Sequence, residues 1–166
     1  MNAPAETSMT ALTIRLQDEL FAVEAGRVRE ILDLVPFTHV PNAPAFVGGL
    51  INVRGRVVPL ADLRVVFGMD RPEPDEDTRI VVMEVDIDGE PTIAGILADK
   101  VHDVTDIETA SIEETPKVGM RWRPELIKGI GKRHGDFIII PDMERIFETP
   151  GGRTPLAAAS EERPAS

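Results

Sequence analysis

The sequence of 166 residues contains no cysteine and no tyrosine, and it has three histidines. Without cysteine the chain can form neither disulfides nor thiolate metal sites, which fits a reducing compartment. Ser111 is the one serine between Thr10 and Thr149, and it lies in an acidic segment with no histidine nearby and no nucleophile-elbow motif. These scarcities leave hydrolytic catalysis without a candidate nucleophile.

Metal and phosphate sites have little support either. His102 and Asp103 are neighbours in a strand-like segment, so their side chains would point to opposite faces of a sheet. The acidic segment "DRPEPDED" lacks the spacing of a calcium loop. The glycines of "GGL" and "GIG" are too few for a phosphate loop, which would also need a lysine and a following helix. We therefore predict a protein that is not an enzyme and that has no catalytic residue, metal or cofactor.

Positive charge is also scarce, since 18 lysines and arginines stand against 29 aspartates and glutamates, a net charge of −11. Such a chain repels phosphate, which argues against nucleic acid and anionic membranes as partners. No apolar run approaches the roughly 20 residues that cross a bilayer. The first residues have neither the basic nor the apolar region of a secretory signal. The sequence predicts a soluble, cytoplasmic protein.

Short apolar segments separated by turn residues dominate the chain and predict a mainly β fold. Arg54-Gly55 and Asp88-Gly89 each lie between two such segments, as in a β-hairpin. Residues 1–10 and 149–166 are rich in small and polar residues, and we predict that they are flexible tails. Residues 70–77 carry two prolines and one arginine against five acidic residues, which indicates an acidic linker.

An internal repeat divides the segment between the tails. A shift of 73 positions aligns "RVREI" (27–31) with "KVHDV" (100–104). A lobe of about 60 residues is marginal alone, so we predict two lobes, residues 11–69 and 78–148, packed around a shared apolar layer. Asp62 and Asp142 would each begin a short helix. A shift of 80 positions aligns Gly49 with Gly129, Gly55 with Gly135, Val57 with Phe137, Asp62 with Asp142, and Phe67 with Phe147.

The segment "NVRG", residues 52–55, leaves two interpretations of Arg54 open. Arg54 is either a solvated hairpin residue or the partner of an acid, for which Glu30 is the best candidate because it interrupts an apolar pattern. Such a pair would contribute more to the specificity of a protein-binding surface than to stability. Four apolar residues at equivalent places in the two copies either belong to the core or line a groove that takes up an apolar helix. They are Val28, Ile31, Val101 and Val104.

Five segments of the chain match a known pattern: "FAVEAGRVREIL", "FTHVPNAPAFV", "GGLINVRGRVVPLADLRVVFG", "IAGILADKVHDVTDI" and "IKGIGKRHGDFIIIPDMERIF". In these segments the chain resembles the CheW family of bacterial chemotaxis coupling proteins. The resemblance covers residues 11–148, and its most specific element is Gly–x–x–Asn–x–Arg–Gly, here residues 49–55. It implies two pseudo-symmetric, five-stranded SH3-like barrels packed around a shared hydrophobic core, with short helices. This architecture agrees with the repeat.

The resemblance also implies a function, that of a non-catalytic adaptor that couples methyl-accepting chemoreceptors to the histidine kinase CheA in signalling arrays. The partners would be the regulatory domain of CheA and the cytoplasmic tip of the receptors, which is a helical hairpin. The protein would be cytoplasmic, would associate with membrane-bound receptor arrays without inserting into the membrane, and would be monomeric alone. Val118 would contact the kinase. The receptor-binding residues that the resemblance implies are Val28, Glu30, Ile31, Gly49, Arg54, Val101 and Val104.

Two other functions remain open. The chain could be a scaffold of the same kind in a chemosensory pathway other than chemotaxis. It could also be a β-barrel that binds a small ligand, but such a site would need convergent polar groups, and the apolar residues predicted for the groove disfavour it.

Overall fold

The computed structural model of the chain describes residues 8–35, 47–70, 73–113, 124–133 and 135–148. Within these ranges, two short helices, α1 (Leu63–Val66) and α2 (Met143–Glu148), each follow a strand, and three 3₁₀ turns cover Ala25–Arg27, Thr109–Ser111 and Pro124–Leu126. The strands are β1 (Ser8–Leu16), β2 (Glu19–Glu24), β3 (Val28–Asp33), β4 (Val47–Val53), β5 (Arg56–Ala61), β6 (Arg79–Ile87), β7 (Glu90–Ala98), β8 (Lys100–Glu108), β9 (Ile127–Arg133) and β10 (Asp136–Pro141).

Parts of the predicted N-terminal tail and of the predicted linker lie within the described residues. Strand β1 begins at Ser8, inside the segment 1–10 that was predicted as a tail. Residues 149–166 lie outside the described residues. In the predicted linker 70–77, the backbone N–H of Asp77 donates to Asp75 Oδ1 at 2.8 Å, and that of Asp75 donates to Thr78 Oγ1 at 2.9 Å. The end of the linker is therefore a hydrogen-bonded turn that leads into β6.

The predicted hairpins at Arg54-Gly55 and Asp88-Gly89 are confirmed. The φ angles of the two central residues are 53° and 83° in the first turn and 53° and 81° in the second. Positive φ at both central positions is typical of the type I′ turn, whose twist matches that of the flanking strands. Glycine adopts this conformation without steric cost. The turn residues therefore determine the register of each hairpin.

Aspartate caps both helices, as predicted. Asp62 Oδ1 accepts a hydrogen bond from the backbone N–H of Arg64 at 3.0 Å, and Asp142 Oδ1 accepts one from the backbone N–H of Arg145 at 3.1 Å. Each cap satisfies an N–H that the first turn of a helix leaves without an intrahelical partner. None of the described helices is long and apolar enough to cross a membrane.

The strands form two sheets of five, with the orders β8-β1-β2-β10-β9 and β3-β6-β7-β5-β4. Strands that the repeat aligns occupy matching places: β3 and β8 each lie at one edge, and β4 and β9 each lie at the other. The hairpins are exchanged, however. The hairpin β1–β2 completes the sheet of β8, β9 and β10, whereas β6–β7 completes the sheet of β3, β4 and β5.

The exchange means that the predicted lobes 11–69 and 78–148 do not coincide with the two sheets. The sequence pattern specifies that a segment is a strand, but it does not specify which distant strand is its neighbour. Buried residues occur on both faces of β1 and β6, so each hairpin can be covered by its own barrel on one face and by the other barrel on the opposite face.

Both sheets curl until their edges meet. Strands β3 and β4 are four strand spacings apart, about 19 Å in a flat sheet, yet Arg54 Nε lies 3.0 Å from Glu30 Oε2 on β3. In the other sheet Glu113, beyond β8, exchanges backbone hydrogen bonds of 3.0 and 2.9 Å with Ile130 of β9. The fold is therefore mainly β, with two pseudo-symmetric, five-stranded SH3-like barrels, as the resemblance implies.

The largest core cluster lies between the barrels and takes residues from both sheets. In β1, Leu12 belongs to this shared cluster, whereas the adjacent Ala11 belongs to a smaller cluster with Ile138. In β6, Val81 belongs to the shared cluster, whereas Val82 belongs to a third cluster, which lies inside the barrel that contains β6. Alternate residues of the central strands thus fill different cores. The two barrels are consequently one packing unit around a shared hydrophobic core.

Closure of the barrel formed by β1, β2, β8, β9 and β10 requires a glycine at position 129. A Cβ atom there would lie 2.6 Å from Ile112 Cγ2 and 3.1 Å from the carbonyl oxygen of Glu113. We expect Gly129→Ala to lower the free energy of unfolding by about 1–3 kcal/mol, as overpacking does elsewhere, measured by chemical denaturation. Gly26→Ala is the control, because a Cβ at Gly26 meets nothing within 4 Å. Equal stability of the two variants would contradict the close approach at Gly129.

Candidate functional site

Arg54 occupies the first central position of the β4–β5 turn, and its side chain is 79% exposed. Asn52 Oδ1 accepts a hydrogen bond from the backbone N–H of Gly55 at 2.9 Å, which holds the turn closed. Three of the four residues in "NVRG" thus have a local role. Asn52 holds the turn, Gly55 adopts positive φ, and Arg54 presents its guanidinium at the surface.

The guanidinium of Arg54 forms an ion pair with Glu30, which is the second of the two interpretations that the sequence left open. Arg54 Nε lies 3.0 Å from Glu30 Oε2, and one terminal nitrogen lies 3.2 Å from Oε1, so the contact has two parallel hydrogen bonds. The hydrogen bond to Glu30, together with the charge of this carboxylate, raises the pKa of Arg54. The Glu30 side chain is 24% exposed. The pair therefore fixes the β4–β5 turn against the opposite edge of its barrel.

The other predicted receptor-binding residues lie mainly on the two matching edge strands, β3 and β8. Val28 on β3 and Val101 on β8 are partly buried and pack against the shared core cluster. Ile31 and Val104 lie on the same two strands, and they are 44% and 57% exposed. Gly49 is buried on β4, opposite Leu60.

The structure thus brings some of the predicted site residues together. Glu30 and Arg54 are in direct contact, and Val28 and Val101 reach one core cluster from two different sheets. Ile31 and Val104 both belong to the exposed apolar surface, at equivalent places in the two copies of the repeat. Val118, the predicted kinase contact, lies outside the described residues.

Sequence reasoning missed a second pair of exposed apolar residues, Val57 and Phe137. They are 60% and 65% exposed, on β5 and β10. The sequence contained the signal, because the shift of 80 positions aligns the two residues, but an apolar residue in an apolar strand gives no indication of its exposure.

A buried arginine was also missed. Arg64 is 4% exposed, and its guanidinium lies 2.8 Å from Asp62 Oδ2 and 2.7 Å from Asp99 Oδ1. The hydrogen bonds to Asp62, followed by the charges of Asp62 and Asp99, raise the pKa of Arg64 against the opposing effect of burial. The arginine links α1 to the corner between β7 and β8. Its position indicates a role in the fold.

The described residues contain no group of three histidine, aspartate or glutamate side chains that could hold a metal ion. The hydroxyl of Ser111 donates a hydrogen bond to the carbonyl oxygen of Glu108 at 2.8 Å, which places it in a local turn. The features that the described surface does offer are an ion pair with fixed geometry and exposed apolar side chains. Such features serve recognition of a protein better than chemistry on a small molecule.

Comparison with known proteins gives consistent results. A family described as "CheW-like domain" matches residues 10–150. The chemotaxis protein CheW of Rhizobium meliloti (strain 1021) is 31% identical over 136 residues, which cover 82% of this chain and 85% of that protein. The chemotaxis protein CheW of Helicobacter pylori (strain ATCC 700392 / 26695) is 30% identical over 131 residues, 79% of this chain and 76% of that protein.

Among solved structures, the chain resembles the scaffolding protein TtCheW from Thermoanaerobacter tengcongensis. The two share 33% sequence identity and superpose with a TM-score of 0.76, over 86% of this chain and 94% of that one. The arrangement of paired barrels is therefore shared with a protein described as a scaffold.

Proposed function

Because the chain belongs to the CheW family of chemotaxis scaffold proteins, we propose that it is an adaptor that couples chemoreceptors to the histidine kinase CheA. It binds the cytoplasmic tip of the receptors and the regulatory domain of the kinase, and it holds the two together in an array. It works in the cytoplasm beside the receptor-bearing membrane. It catalyses no reaction, and its effect on signalling comes from the geometry in which it holds its partners.

The observation that supports this proposal most directly is the ion pair of Arg54 and Glu30. Next to Glu30 on β3 lies the exposed Ile31, and Val104 lies at the matching place on β8. The receptor tip is expected to be helical, and an amphipathic helix binds a groove through a few apolar anchors. Ile31 and Val104 provide apolar area for such anchors, while Val28 and Val101 support them from the shared core.

The contribution of the ion pair is to fix the orientation of the Arg54 guanidinium. An exposed pair adds little to stability because water and salt screen it. A guanidinium held by two hydrogen bonds has a defined plane, however, and its remaining N–H groups point in fixed directions. We infer that the receptor contacts the guanidinium in this fixed orientation. Gly49, on the same hairpin, leaves this part of the β4 backbone free of a side chain.

The kinase contact is proposed for a different surface, with Val118 as its predicted residue. A scaffold must hold two partners at once, so receptor and kinase cannot share one surface. Variants of the receptor surface should therefore leave kinase binding nearly unchanged.

A double-mutant cycle tests the role of the pair. Arg54→Ala and Glu30→Ala should each weaken binding of a purified receptor cytoplasmic fragment by about tenfold, because each loses the same charge pair. The double variant should be no weaker than either single variant, since the second change removes nothing further. Affinities measured by calorimetry for the four proteins decide the question. Effects that simply add would show that the two residues act separately.

The control variant in this cycle is Arg54→Lys. Lysine keeps the charge but lacks the planar fork, so it should recover only part of the affinity.

The parent chain should also retain CheA on receptor-coated beads, and CheA alone should bind them weakly. Retention that does not depend on the chain would overturn the proposed adaptor role.

The structure disfavours the small-ligand alternative. The interior of the barrel formed by β3 to β7 is filled by a cluster of buried apolar side chains and by partly buried ones that pack on it. A ligand site inside a barrel requires free volume and convergent polar groups. The members of this cluster include Ile51, Val58, Leu60, Ile80 and Val82.

A further inference from the structure

The apolar residues proposed for the receptor surface are spaced in a way that a regular strand does not allow. Val28 and Ile31 are three positions apart on β3. Val101 and Val104 are three positions apart on β8. Successive side chains of a strand point to opposite faces, so residues three apart lie on different faces. In regular strands, the two members of each pair would therefore face away from each other.

Strand β8 avoids this with a β-bulge. Val104 lies opposite Leu12 of β1, and Val101 lies opposite Ile14. Two residues of β8 are thus opposite Thr13 alone, which is the pattern of a bulge. Leu12 and Ile14 are two positions apart, and both belong to the shared core cluster. Because opposite residues share a face of the sheet, Val101 and Val104 point to the same side.

Strand β3 has a bulge at the matching place. Val28 lies opposite Met83 of β6, and Ile31 lies opposite Val81. These two residues of β6 are two positions apart and belong to the shared core cluster, so their partners on β3 also share a face. The shift of 73 positions aligns the two bulges. Both bulges therefore turn the proposed receptor residues toward the side on which the barrels meet.

A buried hydroxyl contacts the bulge of β8. Thr13 is fully buried, and its hydroxyl donates a hydrogen bond to the carbonyl oxygen of Asp103, one of the two bulge residues, at 2.5 Å. The same hydroxyl lies 3.1 Å from Asp103 Oδ1. At the matching position, β6 has the apolar Val82. A barrel of this kind therefore forms without a hydroxyl here, and burying one costs free energy unless it is hydrogen-bonded.

The two bulges also have an acidic residue at the same place. The shift of 73 positions aligns Asp103 with Glu30. Glu30 is held by the guanidinium of Arg54, and Asp103 is held by the hydroxyl of Thr13. Thr13 is thus the counterpart of Arg54 in the barrel that contains β8.

We propose that Thr13 is a positioning residue of the receptor surface. Its hydroxyl fixes the bulge of β8 and thereby holds Val101 and Val104 in the orientation in which they meet the receptor helix. A surface that is ordered before binding loses less conformational entropy when a helix docks on it. This role rests on the adaptor function proposed above and extends it to a residue that does not touch the receptor, because Thr13 is fully buried.

Replacing Thr13 by valine removes the hydroxyl and keeps the shape of the side chain. Thr13→Val should bind a purified receptor cytoplasmic fragment about fivefold more weakly, which corresponds to about 1 kcal/mol, the usual contribution of one hydrogen bond. Its binding of CheA should be unchanged. Thr13→Ser keeps the hydroxyl and should bind the fragment nearly as the parent does. Calorimetric titrations measure these affinities.

Ile138→Val is the matched control for a general loss of stability. Ile138 is buried in the same barrel, and the loss of one methylene there costs about as much stability as the loss of a hydrogen bond. The bulge stays intact in this variant, because Ile138 lies on β10, which is not paired with β8. Ile138→Val should therefore bind the fragment as the parent does. Equal affinities of Ile138→Val and Thr13→Val would overturn the role of Thr13.

NMR of the free protein tests the geometry without a receptor. The parent should show a nuclear Overhauser contact between the side chains of Val101 and Ile14, which a regular register would not bring opposite each other. In Thr13→Val, amide exchange over residues 100–104 should be about tenfold faster than in the control variant. Equal exchange would show that the hydroxyl does not hold the bulge, which also overturns the proposal. A parent chain that does not bind the fragment would instead overturn the adaptor function, and the role of Thr13 with it.

Discussion

Replacing Arg64 by alanine is expected to lower the free energy of unfolding by about 3–5 kcal/mol, the usual result of removing one partner from a buried ion pair. The Arg64 side chain is 5% exposed, and its removal leaves the carboxylates of Asp62 and Asp99 without their cation. Their side chains are 13% and 18% exposed, so water compensates only in part. Chemical denaturation of the purified variant measures the loss.

The loss of Arg64 should also weaken contacts beyond α1, because Asp99 has a second partner. Asp99 Oδ2 also accepts a hydrogen bond from the backbone N–H of Gln17 at 2.6 Å, in the turn between β1 and β2. Arg64 thus connects α1, the corner after β7 and a turn of the other sheet. Arg145→Ala is the matched control, because Arg145 lies on α2, is 62% exposed and is 4.0 Å from Asp142. It should cost about 1 kcal/mol or less. Equal losses for the two variants would contradict a structural role of Arg64.

The second large effect concerns receptor binding. Ile31→Glu and Val104→Glu should each weaken binding of a receptor cytoplasmic fragment by at least tenfold, which corresponds to about 1.4 kcal/mol. A carboxylate at either place would have to be desolvated against an apolar surface without a partner. Because the parent side chains are 44% and 57% exposed, the free protein should stay folded. Calorimetric titration with the fragment measures the affinity, and circular dichroism verifies the fold.

Val57→Glu provides the control for surface charge. Val57 is 60% exposed and apolar, but it is not among the proposed receptor residues. This variant adds the same charge to an already acidic chain and should bind the receptor fragment normally. CheA binding should be nearly unchanged in Ile31→Glu and Val104→Glu. If these two variants bind receptor as the parent does, the receptor surface lies elsewhere.

Features encoded by neighbouring residues could be predicted from the sequence. The turns at Arg54-Gly55 and Asp88-Gly89 and the caps at Asp62 and Asp142 depend on dihedral preferences and on hydrogen bonds that span two or three residues. The pairing of Arg54 with Glu30, 24 positions apart, was one of the two interpretations of Arg54 that the sequence left open. An acid within an otherwise apolar strand pattern needs a partner, and this need is visible in the sequence.

Features that depend on distant neighbours could not be predicted. The exchange of the hairpins between the sheets has no local signal, because β1 would show the same alternation beside β3 as beside β8. Arg64 looks like a surface residue in the sequence, since the carboxylate of Asp99 that allows its burial lies 35 positions away. The different exposures of Val57 and Val58, neighbours on β5, are set by the packing of the barrel.

The exchange of hairpins also bears on how the protein is made. The sheet of β3 to β7 is complete once residue 98 has been synthesised, but β1–β2 ends at Glu24, and its first neighbour in the other sheet, β8, begins at Lys100. Between them the ribosome adds 76 residues, which takes about 4–15 s at ordinary rates of bacterial translation. For that time the first hairpin to be made exposes an apolar face and two unpaired edges on the nascent chain. The architecture that gives the finished adaptor a single shared core thus makes the hairpin β1–β2 the segment most in need of chaperone protection during synthesis.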